Sequence, residues 1–236
     1  MSILTPPLPP HHPIPTEAHT KRERRKDDRP QELLAAALDI FVEKGFAATR
    51  VEDIAHRAGV SKATLFLYFS AKEELFKEVV RSNISVRFTE WGEEFEHFEG
   101  TSCDMLHYCL NSWWQRIGST KAAGIPKLIM SEARNFPELA AFYHQEVIAP
   151  GNALIGRILK RGMDCGEFRF LDLQYATYMV LSPMIFLVMW QHSLGPCTTS
   201  STPLMPQQFL DMQLDILLHG FCTSPFSTHS TPPLTL

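Results

Sequence analysis

The stretch from Gly45 to Leu75, GFAATRVEDIAHRAGVSKATLFLYFSAKEEL, restricts the fold of this chain more than any other. Ile54 and Ala55 are placed to face inward from a short helix, and Ala58-Gly59-Val60 then reverses the chain within a few residues. Such a reversal calls for a positive φ at one position, which is costly for a residue with a β-carbon. Ala55 is small where two helices must cross closely. Ser61 is placed to cap a second helix with its hydroxyl, and Val60 and Leu65 to anchor that helix in a core. Lys62, Ala63, Thr64, Phe66 and Tyr68 are left to look outward. This is the spacing of a helix-turn-helix, whose second helix is the expected reading head for a duplex groove.

Composition narrows the alternatives. A chain of 236 residues that is 44% hydrophobic is long enough for one large helical domain or a small domain joined to a medium one, and buries a core without disulfides. The formal net charge is −4, and residues 1–80 hold twelve basic and twelve acidic side chains, so phosphate binding needs a local positive face. Lys21, Arg22, Arg24, Arg25, Lys26, Arg50, Lys62 and Lys72 are available to form it. The five cysteines are odd in number and scattered, with no Cys-x-x-Cys pair, which suits a reducing cytoplasm and favours buried, inert thiols over redox sensors. The ten histidines show no metalloprotease spacing, and neither a Gly-rich phosphate loop nor a nucleophile elbow occurs. No enzyme, metal site or cofactor is expected.

Along the chain, MSILTPPLPPHHPIPTEAHT reads as a disordered proline-rich tail, and KRERRKDDR as either a solvated helix start or an arm that follows DNA. Thr49 with Glu52, and Ser70 with Glu73, have the spacing of capping boxes. A long helix is expected from Lys72 to about Phe98, then helices near Cys103–Ile117, Pro126–Arg134, Pro137–Asp164, Leu173–Gln191 and Pro206–Phe221. No run alternates long enough for a sheet, so the fold class is all-α. The uncharged segment from Leu173 to His192 is long enough to cross a bilayer, but Gln174, Pro183, Gln191 and His192 dilute it, and a helix buried in a dimer core has the same composition. Leu210, Leu214, Leu217, Leu218 and Phe221 form one stripe of the last helix, with Gln208, Asp211, Asp215 and His219 on the other.

The block RPQELLAAALDIFVEKG, the turn, the Tyr68-Phe69 pair and the Lys-Glu-Glu-Leu-Phe run, all in register, resemble the TetR family of bacterial transcriptional regulators. Family members commonly carry two threonines before the second helix, where this chain has Thr49 and Arg50, and a tyrosine at Phe66. The segment KLIMSEARNFPELAAFYHQEVIAPGNALIGRILKRGMDCGEFR also resembles the C-terminal domain of AefR-like members. The resemblance implies residues 27–80 as a DNA-binding domain and 81–222 as a helical regulatory and dimerisation domain, with disordered tails at 1–26 and 223–236. It implies a cytoplasmic homodimeric repressor that binds a palindromic double-stranded operator and is released by a small molecule. An activator or a DNA-organising protein is the alternative. Thr49, Arg50, Ser61, Lys62, Ala63, Thr64, Phe66, Tyr68 and Lys72 are then the expected DNA-binding residues. The candidate effector pocket is Trp113, Trp114, Met130, Phe142, Tyr143, Met179, Met184, Phe186 and Trp190, with Glu132, Arg134 and His144 as polar anchors. The paucity of charge there favours an apolar or aromatic effector.

Overall fold

The computed structural model describes residues 21–198 and 203–222, with side chains in the first helix from Arg29 onward. The expected tails at 1–20 and 223–236, and the basic side chains from Lys21 to Lys26, lie outside the described residues. Among the described residues the chain is helical, and its one β contact is an isolated antiparallel bridge between Phe168 and Cys222.

Helix α1 (Lys21–Lys44) takes in the basic cluster, in keeping with the helix-start reading of KRERRKDDR. It supplies Leu33, Ala37 and Phe41, all fully buried, to a small core shared with α2 (Val51–Arg57), α3 (Lys62–Phe66) and α4 (Lys72–Val80). At the centre Phe41, Phe46 and Phe76 pack as a ring trio with centroids 5.1 to 5.7 Å apart, in offset and edge-to-face contacts that aromatic quadrupoles favour.

The turn after α2 behaves as its sequence requires. Gly59 has φ +65°, its amide donates to the His56 carbonyl, and the Val60 amide donates to the Ala55 carbonyl. That is a Schellman closure, which satisfies the last carbonyls of α2 and needs a residue without a β-carbon at its left-handed position.

Two expected caps are absent. The N-cap of α2 is Arg50 and that of α4 is Ala71, and neither caps through its side chain. Thr49 is turned into the core instead, its hydroxyl donating to the Gly45 carbonyl at 2.6 Å. A cap missed in the sequence sits further on: Thr101 and Asp104 form a reciprocal capping box that starts α6 at Ser102.

The long helix after Lys72 is present as α4, a π-turn at Arg81–Ser85, and α5 (Val86–Glu96). The same interruption recurs twice. Helix α6 (Ser102–Trp113) runs into a π-turn at Trp114–Gly118, and α8 (Pro137–Tyr143) passes through one at His144–Ile148 into α9 (Ala149–Asp164). Helix α7 (Gly124–Glu132) lies between them and packs on α1 so closely that a β-carbon on Gly124 would meet Val42 at 2.6 Å.

Helices α10 (Leu173–His192) and α11 (Pro206–Phe221) complete the body. By length and composition α10 would suffice to cross a membrane. Its face of Ala176, Val180, Met184, Leu187 and Val188 is buried, while Tyr175, Met179 and Phe186 are exposed, so it is not enclosed on all sides within one chain. Helix α11 buries Leu210, Leu214, Leu218 and Phe221 as expected, but also exposes Met212 and Ile216.

Candidate DNA-binding head and regulatory cavity

In the head, the Ser61 hydroxyl accepts the Thr64 amide at 3.0 Å and fixes the start of α3. Leu65 alone of that helix is buried, which anchors it and leaves Lys62, Ala63 and Phe66 exposed, with Tyr68 exposed in the following turn. Arg50 is exposed beside them at the start of α2. Lys62 donates to Glu52 at 2.6 Å, and its ammonium stands 5.7 Å from the Phe66 ring centroid. The Lys62 ammonium hydrogen-bonded to Glu52 holds that carboxyl below its ordinary pKa. Both partners are more than half exposed, so water and salt screen the pair and an incoming anion competes for the ammonium at little cost.

Three expected positions need correction. Thr49 is 2% exposed and its hydroxyl serves the Gly45 carbonyl, so it does not reach a phosphate. Thr64 is only half-exposed, its hydroxyl lying 2.8 Å from that of Ser61. Lys72 points back into the head: its ammonium donates to the carbonyls of Phe46 at 2.9 Å and Thr49 at 3.1 Å and sits 4.4 Å from the Phe46 ring centroid. Its role is to hold the α1–α2 loop, whose carbonyls have no helical partner. Leu67, which is not among the expected outward residues, is 83% exposed just after α3.

A cavity of about 420 Å³ lies in the body. The long helix contributes Ile84 and Phe88, α6 and its π-turn Trp113 and Ile117, and α7 Pro126, Ile129 and Met130. Tyr143, Val147 and Ile148 close a further side, and Leu181, Ser182 and Ile185 of α10 the last. No lining residue carries a charge. Burial pushes the Tyr143 phenol well above its ordinary pKa, so it stays a neutral donor. Met130, Ile148 and Tyr178 are exposed at the edge of the cavity.

Of the nine aromatic and methionine residues expected there, Trp113, Met130 and Tyr143 line the cavity. Trp114 instead covers Gly118, where a β-carbon would meet its ring at 2.4 Å. Phe142 lies against Lys77 and Arg81, whose cationic groups stand 5.9 and 5.0 Å from its ring centroid. Met184 is buried core. Met179 is exposed, and Phe186 stacks with Trp190 at 6.1 Å and contacts Phe209 at 5.8 Å between α10 and α11. The three expected polar anchors do not line it either: Glu132 accepts the Ala47 amide at 3.0 Å, while Arg134 and His144 are exposed.

That Glu132 contact joins the two regions. Helix α7 supplies cavity wall at Ile129 and reaches the α1–α2 loop at its far end, and Phe136 just beyond meets Phe46 edge-on at 4.8 Å.

The sequence pattern of the bacterial regulatory proteins, tetR family, matches residues 33–79, which span most of α1 through α4. RutR of Escherichia coli strain K12, an HTH-type transcriptional regulator, is 44% identical over 66 residues, or 28% of this chain and 31% of RutR. The HTH-type transcriptional repressor KstR2 of Rhodococcus jostii is 26% identical over 192 residues, covering 80% of this chain and 91% of its own. Among solved structures, the transcriptional regulator FadR of Bacillus subtilis in complex with stearoyl-CoA superposes with a TM-score of 0.59 at 18% identity, covering 80% of this chain and 98% of that one. The helix-turn-helix geometry and these likenesses agree: residues 33–79 carry the DNA-binding pattern of the bacterial regulatory proteins, tetR family, and the all-helical body that follows shares its fold with solved transcriptional regulators.

Proposed function

We propose that this protein is a cytoplasmic homodimeric repressor that releases its operator when an apolar or aromatic small molecule occupies the body cavity. The observation that carries the reading is the cavity itself: an uncharged space whose walls include the long helix leading from the head and the helix whose end holds the α1–α2 loop. A guest that shifts either wall changes the setting of α2 and α3. By linkage, whatever it takes from DNA affinity, DNA takes from its own.

In this reading the division of labour falls between residues 27–80 and 81–222. Lys62, Ala63, Phe66 and Tyr68 face the major groove and Arg50 a phosphate, with Ser61 holding α3 in place. Lys72 acts through the loop it clamps. Two copies meet through the exposed apolar side chains of α10 and α11, among them Met179, Phe186, Met212 and Ile216, in the manner of a four-helix contact. Two-fold symmetry then sets the reading helices about 34–36 Å apart and requires a palindromic site. FadR was solved with stearoyl-CoA, so long-chain acyl compounds join aromatics in the first ligand panel. The absence of cationic lining favours the acyl moiety over the phosphates as the enclosed part.

The test is fluorescence anisotropy on duplexes from the region upstream of the protein's own gene. Lys62→Ala and Tyr68→Ala are expected each to lower affinity at least tenfold while sedimentation still reports a dimer. Unchanged affinity in both variants overturns the DNA-binding face. Thermal shifts produced only by strongly charged, hydrophilic compounds overturn the effector class.

A further inference from the structure

Cys103 and Cys222 are 119 residues apart in sequence, yet their sulfurs lie 3.4 Å from each other. Cys103 is in the first turn of α6, where the Thr101–Asp104 capping box holds the backbone and the Ser102 amide donates to Glu167 at 2.6 Å. Cys222 directly follows α11 and is held just as firmly. Its amide donates to the Leu218 carbonyl, it bridges to Phe168, and the Arg169 amide and guanidinium donate to the carbonyls of Phe221 and Gly220 at 2.8 and 2.7 Å. A disulfide needs sulfurs at roughly 2.0 Å. The remaining approach is therefore a small side-chain movement between two fixed backbones.

We propose that Cys103 and Cys222 form a reversible intramolecular disulfide under peroxide, a covalent link between the end of α11 and the start of α6. The half-exposed Cys222 sulfur meets the oxidant first, since Cys103 is buried. Burial, the neighbouring Cys222 and nearby carboxylates push the Cys103 thiol up to about 12, which makes Cys222 the first sulfur to be oxidised and leaves Cys103 as the resolving thiol. The Cys222 sulfur attacks hydrogen peroxide, the O–O bond breaks, one water leaves, and Cys222 becomes a sulfenic acid. The Cys103 sulfur then attacks the Cys222 sulfur. The S–O bond breaks, the hydroxyl departs with the Cys103 proton as a second water, and two thiols have given two electrons and two protons to one peroxide. Cys109, which is fully buried, and Cys165 and Cys197, which are exposed, serve as internal controls.

The link would pin the helix that carries Met212 and Ile216 to the helix that carries Trp113 into the cavity. It stands or falls independently of any DNA binding. The full chain, reduced and freed of reductant, is exposed to hydrogen peroxide, blocked with N-ethylmaleimide and peptide-mapped by mass spectrometry. One linked peptide pair carrying Cys103 and Cys222 is expected, lost on treatment with dithiothreitol. A melting temperature several degrees higher for the oxidised wild type than for oxidised Cys222→Ser is expected with it. The proposal is overturned if Cys103 and Cys222 remain alkylated after peroxide, or if the linkages formed run mainly between copies through Cys165 or Cys197. Should Cys222→Ser not fold, Cys103→Ser and the wild-type map decide the matter.

Discussion

The head and the body of this molecule solve their packing differently. In the head, almost every polar group of the α1–α2 and α2–α3 connections finds a partner close by: Thr49 to Gly45, Lys72 to Phe46 and Thr49, Ser61 to Thr64, Val60 to Ala55. Its core is a filled ring trio. The body instead assembles long helices around an unfilled apolar space. The lesson is that polar partners and filled packing are concentrated where two short helices must keep a fixed relation, while packing is relaxed around the apolar space of the body.

Substitutions can break that contrast, beginning with the most severe. Phe46→Ala removes a fully buried ring that touches Phe41, Phe76 and Phe136, and is expected to cost about 3–5 kcal/mol in urea denaturation. A cost below about 1 kcal/mol would mean that the head is not tightly filled. Next, added volume should separate the two regions. Ala55→Leu, on the buried face of α2, is expected to lose about 1–3 kcal/mol by overpacking. Ser182→Leu, in the cavity wall, is expected to stay within about 0.5 kcal/mol of wild type while abolishing the thermal shift given by a cavity ligand. Equal costs at the two sites would erase the distinction. Lys72→Met keeps the alkyl stem but leaves the Phe46 and Thr49 carbonyls without an ammonium, for an expected loss of roughly 1–2 kcal/mol. DNA affinity should fall with it even though the side chain faces inward. Among the substitutions in the head the smallest loss is expected for Ser61→Ala, about 1 kcal/mol, through loss of the cap on α3.

How far the sequence could be read follows the same division. The turn at Gly59, the cap at Ser61 and the anchor at Leu65 depend on residues within a few positions of one another, and each is found where the spacing put it. The bounds of α11 were legible for a similar reason, since Pro206 opens it and one apolar stripe runs its length. Thr49 was misread because a capping-box spacing does not reveal that the same hydroxyl can reach a carbonyl four residues back. Trp114, Phe142 and Phe186 were misassigned because aromatic character marks burial or stacking as readily as a binding wall. The cavity joins residues from five stretches of chain, and its most telling members are plain aliphatics such as Ile84, Ile117 and Val147, which carry no local signature. The nearness of Cys103 and Cys222 was equally hidden, for it depends on how the first turn of α6 meets the last turn of α11.

Each of the π-turns at Arg81–Ser85, Trp114–Gly118 and His144–Ile148 places an isoleucine on the cavity: Ile84, Ile117 and Ile148. A π-turn holds one residue more than the α-helical turn on either side of it. Migration of that surplus by a single position along the helix would swing the isoleucine through most of a quarter-circle while the helix ends stay put. Under the proposed function the chamber would thus have three adjustable panels, and its bore could be refitted to guests of different girth without dismantling the scaffold that carries α2 and α3.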